Sequence, residues 1–219
     1  LFRSTALGTS RGAGIYNAGF SVPVVYNSII WNNLKNNNPT IAGADIENNA
    51  GNITLKNSIT QGYTTGNTAD NNLANTDPLF VGTDFQLSNT SLAINAGSNT
   101  FYAGLATSKD LAGSPRLAGL VIDMGAYENQ SVLTPDANLI IYVREGFTGN
   151  GSSWANATSN LQGAINSGAT KVFVAVGTYS VPLPNSFRLK TGVAVYGGFD
   201  PVNNITDLTH NRILPNQGT

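Results

Sequence analysis

Residues 25–33 read Val25-Tyr26-Asn27-Ser28-Ile29-Ile30-Trp31-Asn32-Asn33, and residues 55–62 repeat the pattern as Leu55-Lys56-Asn57-Ser58-Ile59-Thr60-Gln61-Gly62. The triplet Asn27-Ser28-Ile29 thus returns as Asn57-Ser58-Ile59. A spacing of this size is typical of one coil of a solenoid, in which each coil contributes strands that pair with the coils above and below. The repeat therefore predicts stacked, strand-forming coils.

A second, looser pair lies in the other half of the chain. Val172-Phe173-Val174-Ala175-Val176-Gly177 is similar to Val193-Ala194-Val195-Tyr196-Gly197-Gly198, which aligns Val172 with Val193. These segments are short, rich in β-branched residues and bounded by Gly or Asn, as strands are. Together the two pairs predict an all-β fold, a parallel β-helix, with Asn27 and Asn57 expected at bends where their side chains form a ladder along the axis. A β-sandwich with strands of similar length is the alternative.

The composition favours strands and turns. The chain has 219 residues, of which 29 are Asn and 24 are Gly, and only 11% are charged, against roughly 25% in ordinary soluble domains. Both residue types disfavour helix interiors. The net charge of -1 and the scattered Lys and Arg leave no basic surface for nucleic acid or for an anionic membrane. The absence of Cys excludes disulfides and thiolate metal sites.

One segment departs from the strand pattern. Trp154, Ala157, Leu161, Ala164 and Ile165 recur at helical spacing, and Gly168 follows as a stop signal. This spacing predicts one short amphipathic α-helix near residues 153–167, which we expect to cover the open end of a β-helix.

The chain divides into two parts at a polar stretch. Residues 129–138 contain Pro135 and lack apolar periodicity, as linkers do. We expect residues 1–128 to form the last coils and the closing region of one β-helix. Residues 139–219 would then form the cap and first coils of a following one. Leu1-Phe2-Arg3-Ser4 does not resemble the start of a signal peptide, so we expect the chain to begin within a longer protein.

Both parts resemble the β-helix surface proteins of Bacteroidota. The first part carries the motifs of the closing region, which are Asp77-Pro78-Leu79-Phe80-Val81, Asp84-Phe85-Gln86-Leu87, Ser91-Leu92-Ala93-Ile94-Asn95-Ala96-Gly97, Asp110-Leu111-Ala112-Gly113-Ser114-Pro115-Arg116 and Ile122-Asp123-Met124-Gly125-Ala126-Tyr127-Glu128. The second part carries the opening motifs, which include Gly149-Asn150-Gly151-Ser152-Ser153-Trp154, Leu161-Gln162-Gly163-Ala164-Ile165 and Val174-Ala175-Val176-Gly177-Thr178-Tyr179. The closing motifs precede the opening motifs along the chain. This order indicates that the chain is a segment of a long tandem array, which runs from the last coils of one β-helix into the first coils of the next.

The resemblance implies a right-handed parallel β-helix of the pectin-lyase-like kind, exported by the type IX route to the bacterial cell surface. It implies a structural and adhesive protein whose partners are neighbouring repeats, copies of itself, or an unidentified surface glycan or protein receptor, without membrane insertion. Two alternatives stay open. One is a carbohydrate-binding or polysaccharide-degrading β-helix, and the other is a filament subunit that polymerises by head-to-tail stacking of its coils.

No catalytic or cofactor-binding residue is predicted. A glycosidase needs two carboxylates roughly 5–10 Å apart, whereas the acids here are dispersed along the chain. Asp45 and Glu47 would share a face of a strand and could bind Ca²⁺ with Asn48 or Asn49, although a solvated loop explains them as well. Asp70, Asp77 and Asp84 form the other acidic series. Asp77 and Asp84 are interpreted as turn residues of the closing motifs, and His210 beside Asp207 as a surface histidine.

Aromatic side chains are the remaining candidates for ligand contact. Tyr16, Tyr26, Trp31 and Tyr63 lie near the repeat loops. Aromatic faces can stack on sugars or anchor protein contacts, and they also fill cores. The sequence leaves both roles open for these four residues.

Overall fold

The computed structural model describes residues 5–6, 14–40, 42, 44–63, 70–102, 108–180 and 186–213. These residues form short strands, turns and one α-helix, so the fold is strand-rich as expected. The chain forms two compact units. The first comprises residues 1–117 and 121–129, and the second comprises residues 118–120 and 130–219.

The first unit holds eleven of the described strands, each two to four residues long. They are β1 Thr5–Ala6, β2 Ile15–Ala18, β3 Val24–Tyr26, β4 Ile29–Ile30, β5 Leu34–Lys35, β6 Ile46–Asn49, β7 Thr54–Lys56, β8 Ile59–Thr60, β9 Leu73–Ala74, β10 Phe80–Val81 and β11 Gln86–Leu87. The last two form an antiparallel pair, and every other strand pairing here is parallel.

Four of the five parallel pairs among these described strands join strands at an almost constant separation, whereas the fifth, β8 with β9, joins Ile59 to Leu73, only 14 residues later. Val24 pairs with Thr54 and Ile29 with Ile59, and Ser28 and Ser58 between them are likewise 30 residues apart. On β2 and β6, Asn17 pairs with Asn48, a separation of 31 residues. The pairing of the two Asn-Ser-Ile segments, predicted from their spacing, is confirmed. Each sheet holds only two or three strands.

Left-handed backbone conformations mark the bends at equivalent positions. Asn27 and Asn57 both have a φ of 49° and precede β4 and β8, and Asn71 has a φ of 55° before β9. After β4 and β8 the equivalent positions are Asn32, with a φ of 56°, and Gly62, with a φ of 70°. Gly and Asn tolerate this conformation better than other residues do. The abundance of Asn is therefore explained in part by backbone geometry.

The expected ladder between Asn27 and Asn57 is absent, because their side chains bond elsewhere. The Nδ2 atom of Asn27 donates to the Ser98 carbonyl, and that of Asn57 donates to the Ala96 carbonyl. The next residues make the contacts between turns. The Ser28 N–H donates to Ser58 Oγ at 3.2 Å, and the Ser58 N–H donates to Asn72 Oδ1 at 3.0 Å.

The sheet β4-β8-β9 is covered on both faces. Ile30 packs with Ile46, Ile53 and Leu55 in a core to which three different sheets contribute, namely β4-β8-β9, β2-β6 and β3-β7. Ile29 points the other way and, together with Ile59, packs against residues of the closing region, which are Leu87, Ala93, Ile94 and Met124. The part of the closing region (residues 77–128) that carries these four side chains therefore lies along the side of the paired turns, whereas the resemblance places the closing region at the end of the stack.

The second unit contains the parallel sheet β12-β13-β14 and helix α1. Their bounds are β12 Ile140–Val143, α1 Leu161–Asn166, β13 Lys171–Ala175 and β14 Ala194–Phe199. Ile141 pairs with Val172, and Val172 pairs with Val195. The looser repeat thus pairs as predicted, but Val172 lies opposite Val195 and not opposite Val193, its counterpart in the sequence alignment. A β-bulge between Phe173 and Ala175 shifts the register further along the strand.

The predicted helix over residues 153–167 is wrong in its first half. Helix α1 spans only Leu161–Asn166, with the Asn160 side chain accepting from the Gly163 N–H as the N-cap. Residues before it form turns tied to β12, where the Thr158 N–H donates to the Tyr142 carbonyl at 3.1 Å. Gly168 follows the helix with a φ of 88°, as expected of a stop residue.

Helix α1 packs against a face of the sheet. Ala164 and Ile165 join the buried side chains of Ile141, Val143 and Val172. Trp154 lies on the opposite face, in contact with the Tyr142 and Phe199 rings, and its indole N–H donates to the Thr206 carbonyl. Within the described residues, no helix is long and apolar enough to cross a bilayer.

Candidate functional site: an aromatic cleft beside strand β3

A shallow cleft of about 220 Å³ lies where β3 meets the closing region. We call it the aromatic cleft. Its lining residues are Tyr26, Asn27, Phe101, Tyr102, Lys109, Arg116, Gly125 and Ala126. All of them belong to the first unit. Three aromatic rings and two basic residues thus converge from parts of the sequence that lie far apart.

Asn27 joins the two walls of the cleft. Its amide makes two hydrogen bonds with the backbone of Ser98, since Nδ2 donates to the carbonyl at 3.0 Å and Oδ1 accepts from the N–H at 2.8 Å. The Asn27 carbonyl also accepts from the Gly125 N–H at 2.8 Å. These bonds fix the 3₁₀ turn Asn99–Phe101 beside the end of β3.

The fixed turn places the Phe101 ring on the Tyr26 ring. The two rings stack with centroids 4.1 Å apart and an interplanar angle of 18°. Tyr26 remains 36% exposed and Phe101 38% exposed. Stacked aromatic pairs stabilise each other, and here they leave a substantial ring area open to solvent.

Arg116 forms the back of the cleft and is fully engaged within the protein. Its guanidinium makes a buried ion pair with Glu128 at 2.8 Å. It also donates to the carbonyls of Asp123, Gly125 and Tyr127. The guanidinium carbon lies 5.9 Å from the centroid of the Tyr102 ring. Arg116 therefore positions Tyr102 and the Gly125 backbone, and its charge is balanced by Glu128.

Lys109 is the exposed cation of the cleft. A backbone bridge between Lys109 and Pro115 fixes its main chain. Among the residues that the structure describes, no carboxylate forms an ion pair with the Lys109 ammonium. The accessible charge in the cleft is therefore positive.

Arg116 and Glu128 are part of a buried polar cluster that we call the polar clamp, together with Asp110 and Asp123. Asp110 accepts backbone N–H groups from Ala112, Ser114 and Glu128. Asp123 accepts from the N–H groups of Asn95 and Asn129. Burial and the nearby Glu128 carboxylate raise the pKa of Asp123 to about 7, although these N–H donors and Arg116 oppose the shift.

The polar clamp explains several motifs of the closing region in structural terms. Each of its four charged side chains is held by backbone groups or by another member of the cluster. Buried charges require such partners. The clamp therefore fastens loops of the closing region to one another.

The proposed calcium ligands do not converge. Asp45 is buried and accepts from Asn33 Nδ2 at 2.8 Å and from the Gln61 N–H, while Glu47 forms an ion pair with Lys35 at 2.7 Å. Burial raises the pKa of Asp45 to about 6, against the lowering effect of its hydrogen bonds with Asn33 and Gln61.

The two asparagines proposed beside them are also engaged elsewhere. Asn48 Nδ2 donates to the Tyr63 hydroxyl, and Asn49 Nδ2 donates to the Tyr16 hydroxyl. Across the described parts of the chain, no three side chains of His, Cys, Asp or Glu come together as a candidate metal site.

The remaining candidates lie at separate places. Asp77 accepts from the Leu79 N–H and Asp84 from Gln86 Nε2, as local turn contacts, and Asp70 lies 3.7 Å from Lys56. The His210 ring nitrogen lies 3.0 Å from the Asp207 carboxylate on the surface. These side chains do not meet at a common site.

Of the four aromatic residues considered from the sequence, Tyr26 alone lines the aromatic cleft. Trp31 and Tyr63 pack against hydrophobic clusters, and Tyr16 accepts a hydrogen bond from Asn49. Sequence reasoning missed Phe101, Tyr102 and Lys109. The adjacent aromatic pair Phe101-Tyr102 was the available signal, but nothing in the sequence connects it with Tyr26.

Comparison of the chain with protein-family models, with curated proteins and with solved structures finds no match.

Proposed function

We propose that the chain is a segment of an extracellular bacterial surface protein, built from right-handed parallel β-helix coils, with a structural and adhesive role. One observation carries the proposal. Four strands of the first unit, β1 to β4, each pair in parallel with a strand one turn later in the chain. The separation of the partners is almost the same in all four pairs, which is what stacking of successive coils requires.

Stacked coils suit a structural role because backbone hydrogen bonds run from each coil to the next. The apolar core formed by Ile30, Ile46, Ile53 and Leu55, to which three of the sheets contribute, adds hydrophobic burial to these hydrogen bonds. Such a solenoid is stiff and grows by repetition. Loops on its outside remain free to present a binding surface away from the cell.

The second unit supports the same proposal at its last strand. Ile141 and its partner Val172 are fully buried, whereas Val195, the partner of Val172 on β14, is 38% exposed. Ile141, Val172 and Val195 thus form an apolar row across β12, β13 and β14. A further coil stacked on β14 would bury Val195 as well. The Ile213 N–H donates to the Gly198 carbonyl at 2.8 Å, so chain beyond β14 already contacts this strand.

The proposal includes no catalytic role. The buried acids of the first unit are used in structural hydrogen bonds, as the polar clamp and Asp45 illustrate. A carbohydrate-binding β-helix is the second candidate function. It is favoured by one observation, the exposed stacked rings of Tyr26 and Phe101 beside Lys109.

Two measurements on the native polypeptide test the proposal. Its intact mass is determined under denaturing conditions with peptide mapping beyond Leu1 and Thr219, and intact cells are treated briefly with protease. We expect a mass many times 22.9 kDa, flanking peptides that repeat these motifs, and peptides of this chain among those released from cells. A mass near 22.9 kDa would favour a polymerising subunit, and protection from protease in intact cells would overturn the surface location.

A further inference from the structure

We propose that the aromatic cleft binds an acidic sugar residue, that is, a saccharide that carries a carboxylate or a sulfate. The sugar ring would lie against the ring surface that the stacked Tyr26 and Phe101 side chains leave exposed, and its anionic group would bind the Lys109 ammonium. This inference rests on the proposed adhesive function and deepens it, because it assigns a ligand class to one site.

The rings form a rigid platform. Asn27 and Ser98 hold the two aromatic walls together through a pair of hydrogen bonds, and the rings stack on each other. Little side-chain entropy remains to be lost when a ligand binds such a surface. Aromatic faces offer an apolar surface to the C–H groups of a sugar, whereas a disordered aromatic would have to be ordered first.

The charge of the cleft selects the ligand class. Arg116 is buried and balanced by Glu128, so it adds no free charge. Asp110, next to Lys109 in sequence, is buried with its oxygens bound to backbone N–H groups. Lys109 is exposed and adds the positive charge that an acidic sugar would meet.

The size of the cleft limits the contact to a small part of a glycan. A volume of about 220 Å³ lies below the roughly 300–1,000 Å³ of sites that enclose drug-sized ligands. The cleft would hold one sugar residue, such as the end of a chain, and weak binding at one site is typical of repetitive adhesins that gain avidity from many copies.

Binding to matched tetrasaccharides tests the inference. The complete chain is titrated with neutral chitotetraose, with hyaluronan tetrasaccharide, which carries carboxylates, and with chondroitin sulfate tetrasaccharide, which carries both anionic groups. We expect both acidic probes to bind about fivefold more tightly than the neutral one, since an exposed ion pair contributes up to about that factor. Tight binding of hyaluronan shows that a carboxylate is sufficient, and any additional gain with chondroitin sulfate measures the contribution of the sulfate.

Variants locate the site. Lys109→Gln should remove the preference for acidic probes and retain the weak binding of the neutral one. Tyr26→Ala should weaken binding of all the probes. Phe20→Ala is the matched control, because Phe20 is 92% exposed on the surface outside the cleft, and it should bind as wild type does. Circular dichroism establishes that each variant is folded, and Lys109→Gln, an exposed change, tests the inference even if Tyr26→Ala fails to fold.

Several results would overturn the assignment. They are the absence of binding at about 10 mM of any probe, an unchanged acidic preference in Lys109→Gln, or an equal loss in Phe20→Ala. None of these results alters the mass or the surface exposure of the native polypeptide. Failure of this inference is therefore distinguishable from failure of the proposed function.

Discussion

At the residue scale, buried charged side chains hold the closing region together. Arg116 joins Glu128 and three backbone carbonyls, and Asp123 accepts two backbone N–H groups. These residues lie close to one another only after folding. Their motifs were visible in the sequence, but the polar clamp was not, because its partners are mainly backbone groups whose position the residue types do not reveal.

The raised pKa of Asp123 predicts a pH-dependent stability. The pKa of its carboxyl is 3.8 in the unfolded chain and about 7 in the folded protein. The pKa of Asp45 is raised in the same direction, to about 6. Between these values the folded state binds more protons, so the free energy of unfolding falls as pH rises from about 4 to about 7.

Thermal unfolding at pH 5 and pH 8 measures this effect. We expect a lower melting temperature at pH 8, by about 2–4 °C for each kcal/mol lost. Asp123→Asn should reduce the difference in melting temperature between pH 5 and pH 8, whatever the stability of the variant itself. Asp84→Asn, an exposed control, should keep the wild-type difference. A melting temperature that rises from pH 5 to pH 8 would contradict the buried environment assigned to Asp123.

Arg116→Met should destabilise the first unit strongly. The substitution removes the ion pair and leaves Glu128 buried without its cation, and breaking a buried pair in this way costs about 3–5 kcal/mol. Chemical denaturation followed by circular dichroism gives the value. The double variant Arg116→Met/Glu128→Gln should recover part of the loss, because it removes the uncompensated charge. If the free energy of unfolding of Arg116→Met lay within about 0.5 kcal/mol of the wild-type value, the polar clamp would not be needed for the stability of the first unit.

At the element scale, short strands are separated by sharp bends. The bends before β4 and β8 use the left-handed conformation at Asn27 and Asn57. The repeated Asn-Ser-Ile triplets predicted both these equivalent bends and the parallel pairing of the strands. The helical spacing of the apolar residues did not predict the length of helix α1. Trp154 and Ala157 have helical spacing, but tertiary contacts with β12 and with the Phe199 ring override it.

Helix α1 depends on its N-cap. The Asn160 side chain accepts from the Gly163 N–H at 2.9 Å, and a helix as short as Leu161–Asn166 has few other stabilising bonds of its own. Asn160→Ala should reduce stability by about 0.5–2 kcal/mol, whereas Asn160→Asp, an equally good cap, should retain it. Equilibrium denaturation compares the two. Equal stability of the two variants would indicate that the cap does not contribute.

At the scale of the whole molecule, the sequence repeats predicted which strands pair, but they did not predict the aromatic cleft. The repeat of the Asn-Ser-Ile triplet matches the register of β3 with β7 and of β4 with β8. The aromatic cleft could not be foreseen, because Tyr26 and Phe101 are brought together by hydrogen bonds between Asn27 and Ser98. Contacts between residues so far apart in sequence have no periodic signature.

Engineered cysteines test the stacking of successive turns most directly. Val24 and Thr54 are exposed register partners on β3 and β7. Adjacent strands lie about 4.8 Å apart, within the range of Cα separations that disulfides span. The chain contains no Cys, so the oxidation of an introduced pair can be measured without background. The matched control pairs Val24→Cys with Lys56→Cys, which the same spacing places about 8 Å apart, beyond that range.

Mass spectrometry of the mildly oxidised proteins gives the decisive measurement. We expect an intramolecular disulfide in Val24→Cys/Thr54→Cys and free thiols in Val24→Cys/Lys56→Cys. A disulfide in the second pair but not in the first, or in neither, would contradict the parallel stacking of successive turns in the register that joins Val24 to Thr54.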